Sequence, residues 1–430
     1  MLTRVDNELL TRTNAGAPMG ELLRRYWIPA LLPEELPVPD CPPVRLKLLG
    51  ESLVAFRDSN GHVGVVAENC PHRGASMFFG RNEEAGLRCV YHGWKFDTFG
   101  VCVDMPNEPP ESNFKHKVRI GSYPARDHGG VIWVYLGPPA LQPALPKLEW
   151  ALVPESHRYH TKRIQSCNWA QAQEGGIDSS HISFLHRDQG PGTANVMRRQ
   201  TGGTALSQQD TAPHFEVVGT PYGVLIGARR QADTDHYYWR ITQWIAPWYT
   251  MIPPFGDNPI GGHAWVPIDD ETCLTWSFQW HPTRPLAADE LEPMRAGLGI
   301  HMELIPGTFY PVRNAGNDFL IDRAAQRSGA SFTGIRGISA QDNAMQESMG
   351  RIFDRTREHL GSSDTAIIQV RRFLLNHARG LPDGLTPPGI NPDQQRVRSV
   401  SIVLPKSVTA WPEAAQDALV ARPDQFFISA

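Results

Sequence analysis

The chain has 430 residues, 41% hydrophobic and 20% charged, with a net charge of −4 and six cysteines. That length supports two or three domains with real cores, and the balanced charge excludes a basic nucleic-acid surface or a polybasic membrane patch. The longest apolar run, Val131 to Leu136, is too short to span a bilayer. With no secretory signal before Arg4, Asp6 and Glu8 and few cysteines, the expectation is a protein of the reducing cytoplasm whose spare thiols (Cys41, Cys102, Cys167, Cys273) stay free.

In chain order, Met19 to Trp27 reads as a short helix, followed by a Pro-rich exit that ends at Pro43. Arg45–Leu49, Ser52–Phe56 and Val63–Val66 are short apolar runs broken by Gly, Asp and Asn, a strand-and-turn pattern that Val131–Tyr135 closes. Gly137 to Pro146 is a Pro-rich strap. The expected domains are an N-terminal helix and strap over 1–43, a small all-β domain over 44–137, and a larger domain over 149–430. In the last, Val224–Arg230, Tyr237–Ile245, His263–Val266 and Cys273–Trp280 read as antiparallel strands. Met345, Met349, Ile352 and Phe353 recur at helical spacing before a stop at Gly361, and a second helix runs from Ile367 to His377. The Pro- and Gly-rich tail after Arg379 is expected to wrap the surface.

Within the small domain, Cys70-Pro-His72 is followed after sixteen residues by Cys89-Val-Tyr-His92. Two thiolates and two imidazoles in matched pairs are what a Rieske [2Fe–2S] centre needs, because two histidines replace two cysteines on one of its irons. A structural zinc site also uses Cys₂His₂, but zinc fingers group Cys with Cys and His with His, whereas here they alternate. The glycines Gly74 and Gly93 let each loop turn tightly under the sulfurs.

The larger domain opens with Asn168-Trp…Asp178-Ser-Ser-His181-Ile-Ser-Phe-Leu-His186. Two imidazoles and a carboxylate make the facial triad of non-heme Fe(II) oxygenases. Asp178 and His181 share a helical face, but His181 and His186 would sit roughly 140° apart on a regular helix. If both bind one ion, the helix must bulge or end between them. The third ligand is open among Asp178, Asp318, Asp322, Asp342 and Glu347. For Asp342 a capping-box role, with Ser339 as N-cap, competes evenly with ligation.

Taken together, these segments, with Asp318-Phe-Leu-Ile-Asp-Arg323 and Gln341-Asp-Asn-Ala-Met-Gln-Glu-Ser-Met-Gly350, resemble the oxygenase component (α subunit) of Rieske non-heme iron aromatic-ring hydroxylating dioxygenases, in the phthalate 4,5-dioxygenase subfamily. The resemblance implies an α+β fold: a small all-β Rieske domain and a larger helix-grip catalytic domain, an antiparallel sheet around a long helix. It implies a [2Fe–2S] cluster on Cys70, His72, Cys89 and His92, and a mononuclear Fe(II) on His181, His186 and Asp342. Asp178 would bridge a mononuclear-site histidine to a Rieske histidine of a neighbouring subunit, in a homotrimer or a doubled hexamer. Electrons would come from a separate NADH-dependent reductase carrying FMN and [2Fe–2S], in keeping with the lack of a nicotinamide or flavin fingerprint here. The implied reaction is O₂-dependent cis-dihydroxylation of a phthalate-like aromatic carboxylic acid. The alternatives are monooxygenation or O-demethylation of such an acid, and a Rieske electron carrier without catalytic iron.

An acidic substrate calls for an arginine. Alternation along Tyr237–Trp244 puts Arg240 on the face of Tyr238, Thr242 and Trp244, which makes it the leading carboxylate clamp, ahead of Arg198, Arg199 and Arg230. Met251, Ile305 and Phe309 are candidate apolar wall or core.

Overall fold

Val54, Phe56 and Val66 project from neighbouring strands into one apolar cluster with Met77, Leu87, Phe96 and Ile120, and the buried Cys70 and Cys89 belong to it. This is the core of the unit Thr13–Pro143 in the computed structural model, which describes residues 1–187, 201–254 and 256–422. Three antiparallel sheets make up the unit. One joins Trp27–Leu31, Val131–Tyr135 and Ala125–His128; a second joins Val44–Leu48, Glu51–Arg57, Val63–Ala67 and Ser122–Tyr123; the third joins Arg81–Glu83, Gly86–Arg88, Lys95–Phe96 and Cys102–Asp104. The expected helix Met19–Trp27 is shorter, Pro18–Leu23, because Trp27 and its apolar neighbours are taken as a strand by Val131–Tyr135.

The second unit, Met1–Arg12 with Ala144–Ala430, is built on eight strands: β1 Arg158–Gln165, β2 His214–Thr220, β3 Gly223–Gln231, β4 His236–Ile245, β5 Tyr249–Ile252, β6 Ile260–Pro267, β7 Cys273–Trp280 and β8 Val400–Pro405. They form one antiparallel sheet in the order β1-β7-β6-β5-β4-β3-β2, with β8 added on β4. β4 is long enough to serve two partners on one edge. Gln243–Ile245 pairs β5, and His236–Ile241 pairs β8. The tail after Arg379 is therefore no surface wrap. It supplies a strand and the helix Trp411–Leu419, whose Trp411 stacks on Trp239 at 4.9 Å.

Three helices of this unit pack on the sheet or on one another: α1 Trp169–Ile177, α2 Ile338–Ser348 and α3 Thr365–Gly380. α3 is the long helix of the grip and packs on β2 and β3. It buries Ala366, Ile367, Val370, Leu374 and Leu375 at helical spacing. α1 lies on β5 and β6, and α2 lies on α1. Two glycines permit these approaches. A Cβ on Gly176 would stand 2.1 Å from Trp265 of β6, and one on Gly175 would stand 2.2 Å from the Gln346 amide of α2. The expected helix through Ile352 and Phe353 stops earlier, at Met349, because Gly350 takes a left-handed φ of 90°. Met345 and Met349 are exposed; α2 buries a polar face, Ser339, Asn343 and Gln346, and beside it packs Ala340 and Ala344 against Met302, Phe319 and Ile335.

Candidate metal centres and substrate cavity

The two Cys-His loops of the smaller unit close by the same hydrogen bonds. The Cys70 N–H donates to the Ala75 carbonyl (2.8 Å) and Gly74 N–H to the Cys70 carbonyl (2.9 Å); the Cys89 N–H donates to Trp94 (2.8 Å) and Gly93 N–H to Cys89 (2.9 Å). Each turn needs a left-handed residue, and Gly74 (φ 76°) and Gly93 (φ 81°) supply it. His72 and His92 come together with ring centroids 4.4 Å apart, and Trp94 stacks on His72 at 4.4 Å. Burial, opposed by backbone hydrogen bonding and reinforced by the Cys89 sulfur, pushes the Cys70 thiol up to about 11, so metal binding is what would hold it as a thiolate. His72 Nδ1 is buried without a hydrogen-bond partner. A buried, unsatisfied imidazole nitrogen beside two buried sulfurs fits iron ligation.

In the larger unit α1 ends at Ile177, before either histidine. Asp178 leaves the helix in an extended conformation and its Oδ1 accepts the Ser180 N–H at 2.5 Å. His181–Ser183 is a single tight 3₁₀ turn. This break overcomes the 140° separation, as the spacing requires. His181 Nε2 lies 3.1 Å from His186 Nε2, and Asp342 Oδ1 lies 3.7 Å and 3.2 Å from them. Three donors at right angles, about 2.1 Å from a first-row ion, would stand about 3 Å apart, so the triangle fits a facial set.

Each imidazole is oriented through its other nitrogen. His186 Nδ1 is 2.8 Å from the Gln341 amide oxygen, whose own NH₂ donates to Thr333 Oγ1 (3.1 Å) and the Ile335 carbonyl (2.9 Å). His181 Nδ1 faces Asp178 Oδ2 at 3.4 Å. Burial acts to raise the Asp342 carboxyl, but His186 and then His181 hold it down at about 2, as an anion. Burial likewise acts against His181 protonation, and Asp178 and Asp342 reverse this and raise it. The capping reading of Asp342 does not stand. Gly337 (φ 97°) caps α2, and Ser339 lies inside it, donating to the Ile300 carbonyl at 2.7 Å. Asp318, Asp322 and Glu347 lie outside the cluster of three.

A cavity of about 180 Å³ opens beside these donors, between Asp178, Arg163, Arg240, Thr242 and His263. Its apolar wall comes from Ile252, Trp265 and Ile300 rather than Met251, Ile305 or Phe309. Met251 is core, one residue along the strand from Ile252. Arg240 and Thr242 share the inward face of β4, as alternation requires. The Arg240 Nε is buried without a partner, and the side chain makes no ion pair among the described residues. Arg230 is occupied elsewhere: it donates to the Asp210 carbonyl (3.0 Å) and the Ser179 carbonyl (2.6 Å), which pins the loop before His181. Arg198 and Arg199 lie outside the described residues. Sequence reasoning missed Arg163, whose strand Arg158–Gln165 it did not assign, and His263, read only as a strand residue. The available signal was a charged residue alternating with Gln165 and Thr161 on one face.

Residues 26–124 match the Rieske [2Fe-2S] domain model, and 134–422 match the model described as LigXa C-terminal domain like. The chain is 41% identical to the oxygenase subunit of 3-chlorobenzoate-3,4-dioxygenase from Comamonas testosteroni, over 94% of this chain and 95% of that one. It is 40% identical to the phthalate 4,5-dioxygenase oxygenase subunit of Pseudomonas putida, over 87% and 86%. The fold is similar to that of dicamba monooxygenase bound to dicamba, with a TM-score of 0.58 and 19% identity over 84% of this chain and 99% of that one. The fold and metal-donor set thus define a Rieske non-heme iron oxygenase. The chain belongs to the oxygenase α subunits of the phthalate dioxygenase type, terminal oxygenases of multicomponent systems whose electrons come from a separate redox partner. Its cofactors are the Rieske [2Fe–2S] cluster and a mononuclear iron. No helix among the described residues is long and apolar enough to cross a membrane.

Proposed function

We propose that the cavity binds an aromatic monocyclic or linked-ring carboxylic acid by an ion pair to Arg240, next to iron held by His181, His186 and Asp342, and that the ring is cis-dihydroxylated. The observation that carries this reading is a guanidinium with an unpartnered Nε in the same cavity as the donor triangle. A half-buried cation without a counter-ion is costly, and a carboxylate relieves that cost with charge-assisted hydrogen bonds. Iron, when bound, supplies O₂ activation. Ile252, Trp265 and Ile300 keep the ring dry, while Arg240 fixes its orientation and so selects which edge meets the metal. His263 stays neutral, since burial and then Arg163 lower it to about 4. In the smaller unit Cys70, His72, Cys89 and His92 would hold the [2Fe–2S] cluster.

Asp178 is proposed as the bridge to a Rieske histidine of a neighbouring subunit in a homotrimer or hexamer. Support comes from its placement: Oδ2 faces a ligand histidine, and about a quarter of the side chain is open to solvent, so another chain can reach it. The proposed electron donor is an NADH-dependent reductase with FMN and [2Fe–2S].

The test supplies the chain with a phthalate-type reductase and NADH and screens phthalate, isophthalate, chlorobenzoates and phenoxybenzoates for O₂ uptake and product mass. A product heavier by two oxygens and two hydrogens is expected. Gain of one oxygen, or release of formaldehyde, would assign the monooxygenase or demethylase alternative, and O₂ uptake indifferent to every acid would remove the acid reading.

A further inference from the structure

Arg163 lines the cavity but is only 4% exposed. Among the described residues no carboxylate lies within ion-pairing distance of it. Its guanidinium instead meets two neutral oxygens: Nη1 donates to Ser277 Oγ at 3.0 Å, and Nη2 and Nε point to Asn343 Oδ1 at 3.3 and 3.4 Å. Asn343 is the residue after Asp342.

That contact is one of a row. Gln165, on the same face of β1, donates to Gln346 Oε1 at 2.6 Å and accepts from Thr275 Oγ1 at 2.7 Å. The Ser166 N–H donates to Glu347 Oε1 at 3.1 Å. Asn343, Gln346 and Glu347 occupy one face of α2, and Ser339 extends it through its bond to Ile300. The metal-bearing helix is thus joined to the edge strand by directional polar bonds rather than by apolar packing. An apolar stripe can repack after a small rotation, whereas a row of hydrogen bonds has one register. The difference matters because an atom about 5–6 Å from the helix axis moves about 2 Å when the helix turns roughly 20°, well outside the tolerance of a metal–ligand bond.

We propose that Arg163 is a positioning residue for the metal: by gripping Asn343 it fixes the rotation of α2 and aims Asp342 at His181 and His186. The proposal rests on the reading of His181, His186 and Asp342 as the iron site. Simple electrostatics gives the opposite sign, since deleting a buried cation near a dication site should tighten metal binding.

The two signs are separated by titrating the full-length chain, without substrate, with Co(II), read by its visible spectrum and by binding affinity. Wild type, His186→Ala, Arg163→Met, Asn343→Leu, the Arg163→Met/Asn343→Leu double variant and Arg163→Lys are compared, with far-UV circular dichroism as the check on folding. Wild type is expected to bind one Co(II) that His186→Ala abolishes. Arg163→Met should bind about 10–100-fold more weakly with an altered spectrum, Asn343→Leu should fall comparably, and the double variant should be little worse than either, because both break one link. Arg163→Lys should recover part of the loss, and it carries the test if the methionine variant does not fold. Affinity equal to or tighter than wild type in folded Arg163→Met, as for a residue that only contacts substrate, would overturn the proposal. If wild type shows no Co(II) site sensitive to His186→Ala, the iron-site reading itself falls, and Arg163 with it.

Discussion

The amide oxygen of Gln341 sits 2.8 Å from His186 Nδ1, and its NH₂ group is held by Thr333 and Ile335. The carbonyl can only accept, so Nδ1 must carry the proton and Nε2 is left with the lone pair that faces Asp342 and His181. Gln341→Leu should release the ring and lower Fe(II) affinity about 10–100-fold. Isothermal titration of the protein with ferrous ion checks this, and an unchanged affinity would show that the tautomer is set elsewhere.

Arg240→Gln should weaken binding of an acidic substrate by about 1.5–3 kcal/mol, the worth of a hydrogen bond to a charged group, which is roughly 10- to 150-fold. The neutral amide of the same acid should be nearly indifferent. Comparing the two ligands in wild type and variant isolates the ion pair, and equal losses for both would end the clamp assignment.

Asp178→Asn keeps the size of the side chain and removes its charge. Both metal sites should remain filled, while electron arrival at the iron slows at least about 10-fold. Single-turnover oxidation of the reduced cluster by O₂ in the presence of substrate reports that rate. Wild-type speed would take Asp178 out of the electron path.

Gly176→Ala introduces a methyl group 2.1 Å from Trp265 and 2.7 Å from Thr250 Oγ1. Neither the helix nor the sheet can accept it in place, so α1 must lift. Urea denaturation should show a loss of about 1–3 kcal/mol, accompanied by weaker metal binding because α1 leads directly into Asp178 and His181.

His263 gives a pH signature. Burial, then Arg163, lowers it to about 4 from an ordinary value of 6.5, against weaker raising effects from Trp276 and Asp342. Between those values the unfolded chain binds a proton that the folded chain refuses. Its contribution to stability is therefore complete above pH 6.5, is lost as pH falls from about 6.5 to about 4, and levels off below. The total is on the order of 3 kcal/mol. His263→Leu should flatten the stability curve in that window, and a curve of unchanged slope would assign it to other groups, such as the buried His301, which burial shifts in the same sense.

Both Cys-His loops and the His181–His186 pair were legible in the sequence because each is local: a fixed spacing brings the candidate donor side chains of each together by turn geometry. Asp342 was ambiguous because Ser339-Ala-Gln-Asp342 spells a capping box, and only the left-handed Gly337 shows that the helix starts earlier. The polar seam of α2 was hidden since periodicity searches look for buried apolar residues, and the seam is Ser339, Asn343 and Gln346, while the only apolar residues the helix buries are the small Ala340 and Ala344. Val400–Pro405 was missed for a different reason. Its hydrogen-bond partners lie some 160 residues earlier in the chain, and its surroundings are rich in proline and glycine.

That late strand also sets a timetable. Ser401 pairs with Arg240 in the β4–β8 register, so the edge of β4 beside the proposed acid-binding guanidinium has no neighbour there until some 160 further residues have left the ribosome. The nascent chain cannot finish this wall of the cavity early. A product truncated before Val400 would keep all seven proposed metal ligands and yet lose the brace behind the proposed acid-recognition residue Arg240.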